Sequence, residues 1–218
     1  MKKLMSAEIE LKYLLPENNN KNDQVADKIS AMLSANKVDF IFADKQLCND
    51  YFDTPTLELR KMDVGLRIRT VENNYEQTIK TSGTVVDGLH QRPEFNVNIP
   101  TKQLELSLFP VHVWPEGVDL SSLHQKLRVI FSTHFTRKTW LIKQGENVIE
   151  LALDNGDICV DNYHRSFIIS EIEIELVRGK QQALFELATQ LKNIINITPG
   201  NLSKAARGYR LYYEKLNK

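Results

Sequence analysis

Polar and hydrophobic residues alternate with a period of two along much of this chain, which is the pattern of β-strands that bury one face. In the stretch AEIELKYLL near the N-terminus, the side chains of Ile9 and Leu11 share one face of such a strand. Glu8, Glu10 and Lys12 share the opposite face. Similar alternation predicts further strands over residues 38–53, 64–72, 75–83, 91–100, 135–160 and 164–179. The 135–160 segment is predicted to hold two or three strands with turns at QGEN and DNGD, which gives about eight strands in all.

The connections between these strands are mostly short, such as the VENNY segment that follows the strand at 64–72. Turns of this length cannot make the crossover that parallel strands need, so we predict antiparallel pairing. A period near 3.6 predicts amphipathic helices over residues 25–37, 121–132, 180–195 and 203–216. No repeat or linker divides the chain, and we predict a single α+β domain over residues 1–218.

The charged faces of the strands are unusual because one sign of charge recurs along a strand. Glu171, Glu173 and Glu175 share a face in SEIEIEL, although like charges roughly 7 Å apart repel each other. Arg67 and Arg69 share a face in GLRIRT. We therefore predict an eight-stranded antiparallel β-barrel with a polar, charged interior and with helices packed outside. Solvent-exposed strand faces and internal salt bridges are the alternatives that spacing alone leaves open.

The composition excludes several classes of partner. Lys plus Arg equals Asp plus Glu at 28 each, so no net charge attracts the chain to nucleic acid or to an anionic membrane. Cys48 and Cys159 lie far apart and form no zinc-binding or disulfide pattern. Glu8 interrupts the N-terminal apolar stretch, and no apolar run approaches the roughly 18 residues that span a membrane. We expect a cytoplasmic protein that binds neither nucleic acid nor a membrane.

Carboxylates and cationic side chains that share one cavity need partners there. Hard divalent cations take oxygen ligands, and Mg²⁺ binds a few carboxylates together with the phosphates of a substrate. Arginine and lysine bind phosphate oxygens, and arginine does so in a bidentate manner. The pattern therefore indicates a site for a metal ion and a polyphosphate, with salt bridges inside the barrel as the alternative.

The chain resembles the CYTH family, also called the triphosphate tunnel metalloenzymes. The family signature ExExK corresponds here to EIELK at residues 8–12. Other similar segments follow in the family's order: YFDTPTLELRKMDVGLRIR (51–69), EQTIKT (76–81), GLHQRPEFNV (88–97), FTRKTW (135–140), IELALDNG (149–156), EIEIEL (171–176) and NLSKAARGY (201–209). The resemblance spans about residues 7–210, and GLHQRPE and LSKAARGY are most similar to the bacterial inorganic triphosphatase branch. In that branch a helical CHAD domain commonly follows, and we expect a CYTH domain alone in these 218 residues.

The resemblance implies a β-tunnel that hydrolyses the terminal phosphoanhydride of tripolyphosphate to pyrophosphate and phosphate, with Mg²⁺ or Mn²⁺ as the cofactor. The metal-binding residues that it implies are Glu8, Glu10, Glu94, Glu150, Asp154, Glu171, Glu173 and Glu175. The triphosphate-binding residues that it implies are Lys12, Arg67, Arg69, Lys80, Arg92, Arg137 and Lys204. The catalytic residues that it implies are Glu8, Glu10, Lys12, Glu171 and Glu173. No separate general base is evident, and a metal-binding glutamate is the candidate for that role.

Other functions fit parts of the same pattern. The CYTH family includes class IV adenylate cyclases, but no feature of this sequence indicates recognition of adenine. Thiamine triphosphate and nucleoside triphosphates are alternative substrates. A polyphosphate-binding module is the non-enzymatic alternative, and it would not need the acidic face. His90 in the GLHQRPE segment is expected to be structural or exposed, and the oligomeric state is left open.

Overall fold

The computed structural model of this protein describes residues 3–16, 22–160 and 165–216. Regular structure in those residues comprises ten β-strands, five α-helices and two short 3₁₀-helices, Leu106–Leu108 and Val111–Val113. The strands are β1 (Lys3–Leu14), β2 (Asp39–Asp53), β3 (Gly65–Val71), β4 (Asn74–Lys80), β5 (Thr84–Val86), β6 (Leu89–Ile99), β7 (Arg128–Gln144), β8 (Asn147–Val160), β9 (Arg165–Arg178) and β10 (Thr198–Pro199). The helices are α1 (Asn22–Ala35), α2 (Glu58–Lys61), α3 (Leu120–Lys126), α4 (Gln182–Lys192) and α5 (Lys204–Leu216).

Eight of these strands close an antiparallel barrel, which confirms the predicted architecture. The order around the barrel is β1, β9, β8, β7, β2, β3, β4 and β6, and β6 pairs with β1 to complete the ring. The two short strands extend the sheet outside the ring, with β5 paired to β6 and β10 paired to β1. All of these pairings are antiparallel, as predicted, and short turns join some of the paired strands, such as β3 to β4 and β7 to β8.

The outward faces of the barrel strands are apolar and pack against helices. Leu11 of β1 and Ile172 of β9 lie in a buried cluster with Ile29 of α1 and Leu184 of α4. On the side formed by β3 and β4, Ile68 belongs to a second cluster that includes the segment 104–123. Each fully buried aliphatic side chain of this kind stabilises the fold by about 1.5–3 kcal/mol. These two parts of the hydrophobic core therefore lie outside the barrel, and they leave the inward faces of the same strands available for polar groups.

Helix α5 fills one end of the barrel. The inward-facing positions at this end are apolar, with Phe131 on β7, Ile158 on β8 and Ile169 on β9, and Tyr209 of α5 packs in the same cluster. Gly208 permits the close approach of the helix, because a Cβ atom at this position would lie 2.2 Å from the Phe131 ring. This packing holds the first turn of α5 at the barrel interior.

The helix predicted over residues 121–132 is wrong in its second half. Helix α3 ends at Lys126, and strand β7 begins at Arg128. The apolar residues Ile130 and Phe131 fit either period, and the pairing of β7 with β2 on one side and β8 on the other decides for a strand. Tertiary pairing has overridden a helical pattern here.

The turn predicted at DNGD is also wrong, because β8 runs through this segment without interruption. Gly156 serves a different purpose from a turn, since a Cβ atom at this position would lie 2.1 Å from the carbonyl oxygen of His134 on β7. The glycine therefore allows two strand backbones to approach closely. The strand predicted over 164–179 is present as β9 within the described residues, and residue 164 lies outside them. None of the helices in the described residues is both long enough and apolar enough to cross a membrane.

Candidate active site

The interior of the barrel is a polar, charged cavity of about 380 Å³, as the alternating strands predict. Seven of the eight barrel strands and helix α5 contribute the predicted site residues that line it. These lining residues are Glu8, Glu10, Lys12, Arg67, Arg69, Lys80, Arg92, Glu94, Arg137, Glu150, Glu173, Glu175 and Lys204. The other two predicted residues, Asp154 and Glu171, are fully buried and do not line the cavity.

Strand register places three glutamates side by side on one wall of the cavity. Glu175 on β9 lies opposite Glu10 on β1 and also opposite Glu150 on β8. Burial and, after it, the neighbouring carboxylates, of which Glu8 has the largest effect, together raise the pKa of Glu175 to about 7. Among the residues that the structure describes, no cationic side chain forms an ion pair with Glu150 or Glu175. Glu10 is paired with Lys12 at 3.4 Å, so the negative charge of this acidic wall that no described cation balances lies on Glu150 and Glu175.

The facing wall is basic, although Arg67 lies 3.7 Å from an oxygen of Glu94 and Arg137 is paired with Asp154 and Glu173. Arg67 and Arg69 project inward from β3, and Arg137 approaches them from β7. Burial and, after it, the nearby charges of Arg67 and Arg137 together lower the pKa of Arg69 to about 10. The Nε group of Arg69 donates a hydrogen bond of 3.0 Å to the neutral side chain of Asn49. An anion bound between these arginines would relieve their mutual repulsion.

Lys80 on β4 connects the acidic and basic walls. Its Nζ atom lies 2.6 Å from a carboxylate oxygen of Glu8 and 2.9 Å from one of Glu94. Although burial acts in the opposite direction, Lys80 and Arg67 lower the pKa of Glu94. For Glu8, burial outweighs the effect of Lys80, and the pKa is raised. Arg92 of β6 also lines this part of the cavity and lies opposite Glu8 in the register of β1 and β6.

A second carboxylate cluster lies at the end of the cavity nearest α5. Asp154, Glu171 and Glu173 each place an oxygen atom within 4.8 Å of the others, which by distance alone is compatible with a metal ion. Cationic groups already bind these oxygens. Arg137 forms a bidentate pair with Asp154 at 2.7 and 2.6 Å, and Lys204 Nζ lies 2.6 Å from Asp154 and 3.0 Å from Glu173.

Two further cations complete this cluster. Lys12 Nζ donates a hydrogen bond to Glu173 and lies 3.5 Å from an oxygen of Glu171. Arg207 donates a hydrogen bond to the other oxygen of Glu171. Burial acts to lower the pKa of Lys12, but Glu10 and the two cluster glutamates outweigh it and raise this pKa well above its ordinary value. Because four cations face three carboxylates here, the cluster fits an ion-pair network better than it fits a metal site.

Arg207 was not among the residues predicted from the sequence. It lies three residues after Lys204 on α5, a spacing that places both side chains on one face of the helix. The position of this face is fixed by Tyr209, whose hydroxyl group donates a 2.9 Å hydrogen bond to the buried carboxylate of Asp53. The helical spacing from Lys204 is the signal that could have identified Arg207.

His90, which the sequence predicts to be structural or exposed, is buried and lines the cavity. Its ring nitrogen Nε2 lies 2.9 Å from the carbonyl oxygen of Gly200, in the segment that leads into α5. Burial lowers the pKa of His90 despite this hydrogen bond, and the charge of Lys12 acts in the same direction as burial. Other lining residues that were not predicted as site residues include Tyr51, Glu76, Thr78 and Asn96. Of these, Glu76 and Thr78 share the inward face of β4 with Lys80, so alternation could have identified them.

Comparison with known proteins identifies relatives of the whole described fold. A model of the CYTH domain family matches residues 6–209. The inorganic triphosphatase of Haemophilus influenzae is 36% identical over 219 aligned residues, which cover 97% of this chain but 56% of that protein. The chain thus spans about half the length of this curated relative.

Solved structures share the fold at much lower sequence identity. HpAC1 from Hippeastrum, for which a dominant triphosphatase activity is described, is 19% identical to this chain and superposes on it with a TM-score of 0.64. The alignment covers 93% of this chain and 95% of the HpAC1 chain. The PH1819 protein from Pyrococcus horikoshii OT3 is 18% identical with a TM-score of 0.56 and covers 96% and 99% of the two chains. At these identities the similarity supports the fold alone.

Proposed function

Because this chain belongs to the CYTH family, we propose that its barrel binds a divalent metal ion and hydrolyses inorganic tripolyphosphate to pyrophosphate and phosphate. The observation that supports this proposal best is that Glu150 and Glu175 on one wall of the cavity and Arg69 on the facing wall form no ion pair with any described residue. A metal ion and a polyphosphate are the two ligands that together would neutralise both walls. The choice of an inorganic substrate rests on the similarity to the Haemophilus influenzae triphosphatase.

The metal ion in this proposal is Mg²⁺ or Mn²⁺, held by the acidic wall. Glu10, Glu150 and Glu175 lie side by side, and Glu8 and Glu94 are near enough to raise the pKa of Glu175. Their donor set consists of carboxylate oxygens, which suits a hard divalent cation. Such an ion would neutralise developing charge on the phosphate and acidify the attacking water.

The basic wall is proposed to hold the triphosphate. Arg67, Arg69 and Arg137 would bind phosphate oxygens by charge-assisted hydrogen bonds and stabilise charge that moves toward the leaving group. Lys80 and Arg92 lie beside Glu8 and would bind oxygens at the boundary with the metal. Lys12 and Lys204 would complete the set at the end near α5.

The structure changes the roles that we propose for Asp154 and Glu171. Both carboxylates are fully buried, do not line the cavity, and are bound by lysine and arginine side chains. We assign them to positioning these cations and not to direct metal binding. Glu173 lines the cavity but accepts hydrogen bonds from Lys12, Arg137 and Lys204, so its proposed role is shared between positioning and the reaction.

The test is a phosphate-release assay on the purified chain with tripolyphosphate, ATP, thiamine triphosphate and long-chain polyphosphate as separate substrates. Each substrate is assayed with Mg²⁺, with Mn²⁺ and with a chelator, and cyclic AMP formation from ATP is measured in parallel. We expect turnover that requires the metal and is fastest with tripolyphosphate. Equal or faster turnover of ATP would overturn the substrate assignment, and cyclic AMP as the main product would favour the cyclase alternative.

Binding without turnover would instead identify a polyphosphate-binding module. Isothermal titration with tripolyphosphate separates this outcome from an inactive preparation, because a binding module would retain affinity in the absence of metal. Glu214→Gln, which changes an exposed carboxylate on α5 that does not line the cavity, is a matched control for variants of the acidic wall.

A further inference from the structure

Arg69 differs from most of the cationic side chains that line the cavity, because no carboxylate compensates its charge. Five of the seven lining cations are paired with carboxylates, and these are Lys12, Arg67, Lys80, Arg137 and Lys204. Within the described residues, Arg69 and Arg92 form no ion pair. Arg69 is nevertheless held in place, because its Nε group donates a hydrogen bond to a neutral side chain, that of Asn49.

Asn49 lies between Arg69 and Thr133 on three neighbouring strands. The register places it opposite Arg69 of β3 and opposite Thr133 of β7. Its Oδ1 atom accepts the bond from Arg69 at 3.0 Å, and its Nδ2 group donates to the Thr133 hydroxyl oxygen at 2.8 Å. The orientation of the amide is unambiguous, because an arginine N–H can only donate and must therefore face the amide oxygen. Asn49 and Thr133 are both fully buried, so this chain of hydrogen bonds fixes the guanidinium from behind the cavity lining.

The neutrality of Asn49 matters because the same barrel holds another arginine with a carboxylate. Arg137 lies opposite Asp154 in the register of β7 and β8, and the two form a bidentate ion pair. Asn49 offers Arg69 an acceptor oxygen without a charge. Glu76 lies opposite Arg69 on β4 and acts to raise its pKa, but burial and the nearby arginines outweigh this effect and lower the pKa to about 10. Arg69 therefore remains protonated at neutral pH, and its charge is available to an anion in the cavity.

We propose that Asn49 is a positioning residue for triphosphate binding, which fixes the Arg69 guanidinium and leaves its full charge to the phosphate oxygens of the substrate. This inference rests on the proposed function and adds to it a residue outside the cavity lining. The terminal nitrogens of an arginine held at Nε bind phosphate oxygens by charge-assisted hydrogen bonds. An aspartate at position 49 would keep the same shape and accept the same bond from Arg69, but it would compensate the positive charge.

The experiment is therefore the isosteric variant Asn49→Asp in the full chain. Its arginine neighbour keeps the new carboxyl group ionised, and the Thr133 hydroxyl can rotate to donate to it. Binding is measured by titration calorimetry in the presence of Mg²⁺, with an analogue of tripolyphosphate whose bridging oxygens are replaced by imido groups. We expect binding at least about tenfold weaker than in the wild-type protein, as for a compromised hydrogen bond to a charged group. Asn36→Asp, which adds the same charge at an exposed position, is the control and should change the affinity little.

A double-mutant cycle with Arg69→Gln tests whether Asn49 acts through Arg69. Without the guanidinium there is no charge to compensate, so Asn49→Asp should weaken binding far less in the Arg69→Gln background than in the wild-type background. A purely structural role for Asn49 predicts the same loss in both backgrounds. Thr133→Val keeps the shape of Thr133 but removes the acceptor for Asn49 Nδ2, and we expect about threefold weaker binding, again only when Arg69 is present. This second variant decides the question if Asn49→Asp does not fold.

The outcomes separate this inference from the proposed function. Hydrolysis of tripolyphosphate by the wild-type protein, together with an unchanged affinity in Asn49→Asp, would refute the role of Asn49 and leave the function intact. An equal loss of affinity with and without Arg69 would refute that role as well. The expected pattern of affinities without any hydrolysis would refute the function and support the role of Asn49 in binding the anion. A wild-type protein that binds neither tripolyphosphate nor its imido analogue would overturn both.

Discussion

Replacing Glu175 by glutamine should stabilise the metal-free protein at alkaline pH and abolish its stabilisation by metal. The pKa of Glu175 is raised to about 7 by burial and by the neighbouring carboxylates, against an ordinary value of 4.5. A carboxylate whose pKa is raised in the folded state binds protons more tightly there than in the unfolded chain. Stability is therefore lost as the pH rises from the unfolded value through about 7, and the neutral glutamine avoids this loss.

The size of the effect follows from the same difference in pKa. At 1.36 kcal/mol for each pKa unit, an increase from 4.5 to about 7 corresponds to about 3 kcal/mol above pH 7. This figure is an upper limit, because part of the side chain contacts solvent and screening weakens the repulsion. For a chain of this size, about 3 kcal/mol corresponds to a rise of roughly 6–12 °C in melting temperature.

The assay is thermal unfolding of the wild-type protein, Glu175→Gln and the exposed control Glu214→Gln, each at pH 5 and pH 8 with a chelator present. The melting temperature of Glu175→Gln should exceed that of the wild-type protein by a large amount at pH 8 and by a small amount at pH 5. Addition of Mg²⁺ or Mn²⁺ at pH 8 should raise the melting temperature of the wild-type protein and have little effect on Glu175→Gln.

Two results would refute this reasoning. An equal increase in melting temperature at both pH values would show that glutamine improves packing. Charge repulsion would then not be the cause of the increase. Equal stabilisation of the wild-type protein and of Glu175→Gln by metal would remove Glu175 from the metal site and return attention to Asp154, Glu171 and Glu173.

Three further variants test other parts of the site and the fold. Glu10→Gln should abolish metal-dependent turnover while tripolyphosphate affinity changes far less, and full activity in a phosphate-release assay would exclude Glu10 from the site. Lys80→Ala removes a cation between Glu8 and Glu94 and should weaken tripolyphosphate binding by about tenfold or more, as expected for a charged hydrogen bond of about 1.5–3 kcal/mol. Titration calorimetry measures this affinity, with Lys126→Ala, which alters an exposed lysine, as the control. An unchanged dissociation constant for tripolyphosphate in Lys80→Ala would contradict the assignment of Lys80 to triphosphate binding. Tyr209→Phe removes the hydrogen bond to Asp53 and should lower the free energy of unfolding by about 1.5 kcal/mol, since Asp53 keeps its backbone donors. Urea denaturation measures this change, with Tyr213→Phe, which alters an exposed tyrosine, as the control. Equal free energies of unfolding for the two variants would show that the hydrogen bond from Tyr209 to Asp53 does not stabilise the packing of α5.

Much of the fold could be predicted from the sequence because alternation reports which face of a strand each residue occupies. EIELK and EIEIEL each place charges on one face and aliphatic residues on the other, and the structure has the charged faces inside a closed barrel. The errors arose where one segment fits two periods. Ile130 and Phe131 are compatible with a helix or a strand, and the partner strands decide between them.

The sequence by itself determined which side chains face the interior, because a period of two fixes the face of a residue within its own strand. It could not determine the level of each residue along the barrel, which depends on register between strands that are distant in the chain. Register is what places Glu175 between Glu10 and Glu150, and what brings His90 beside them. The packing of α5 against the barrel likewise decides that Glu171 is buried against cations and does not line the cavity. Only the tertiary structure brings these groups within the few ångströms over which charges and ligands act.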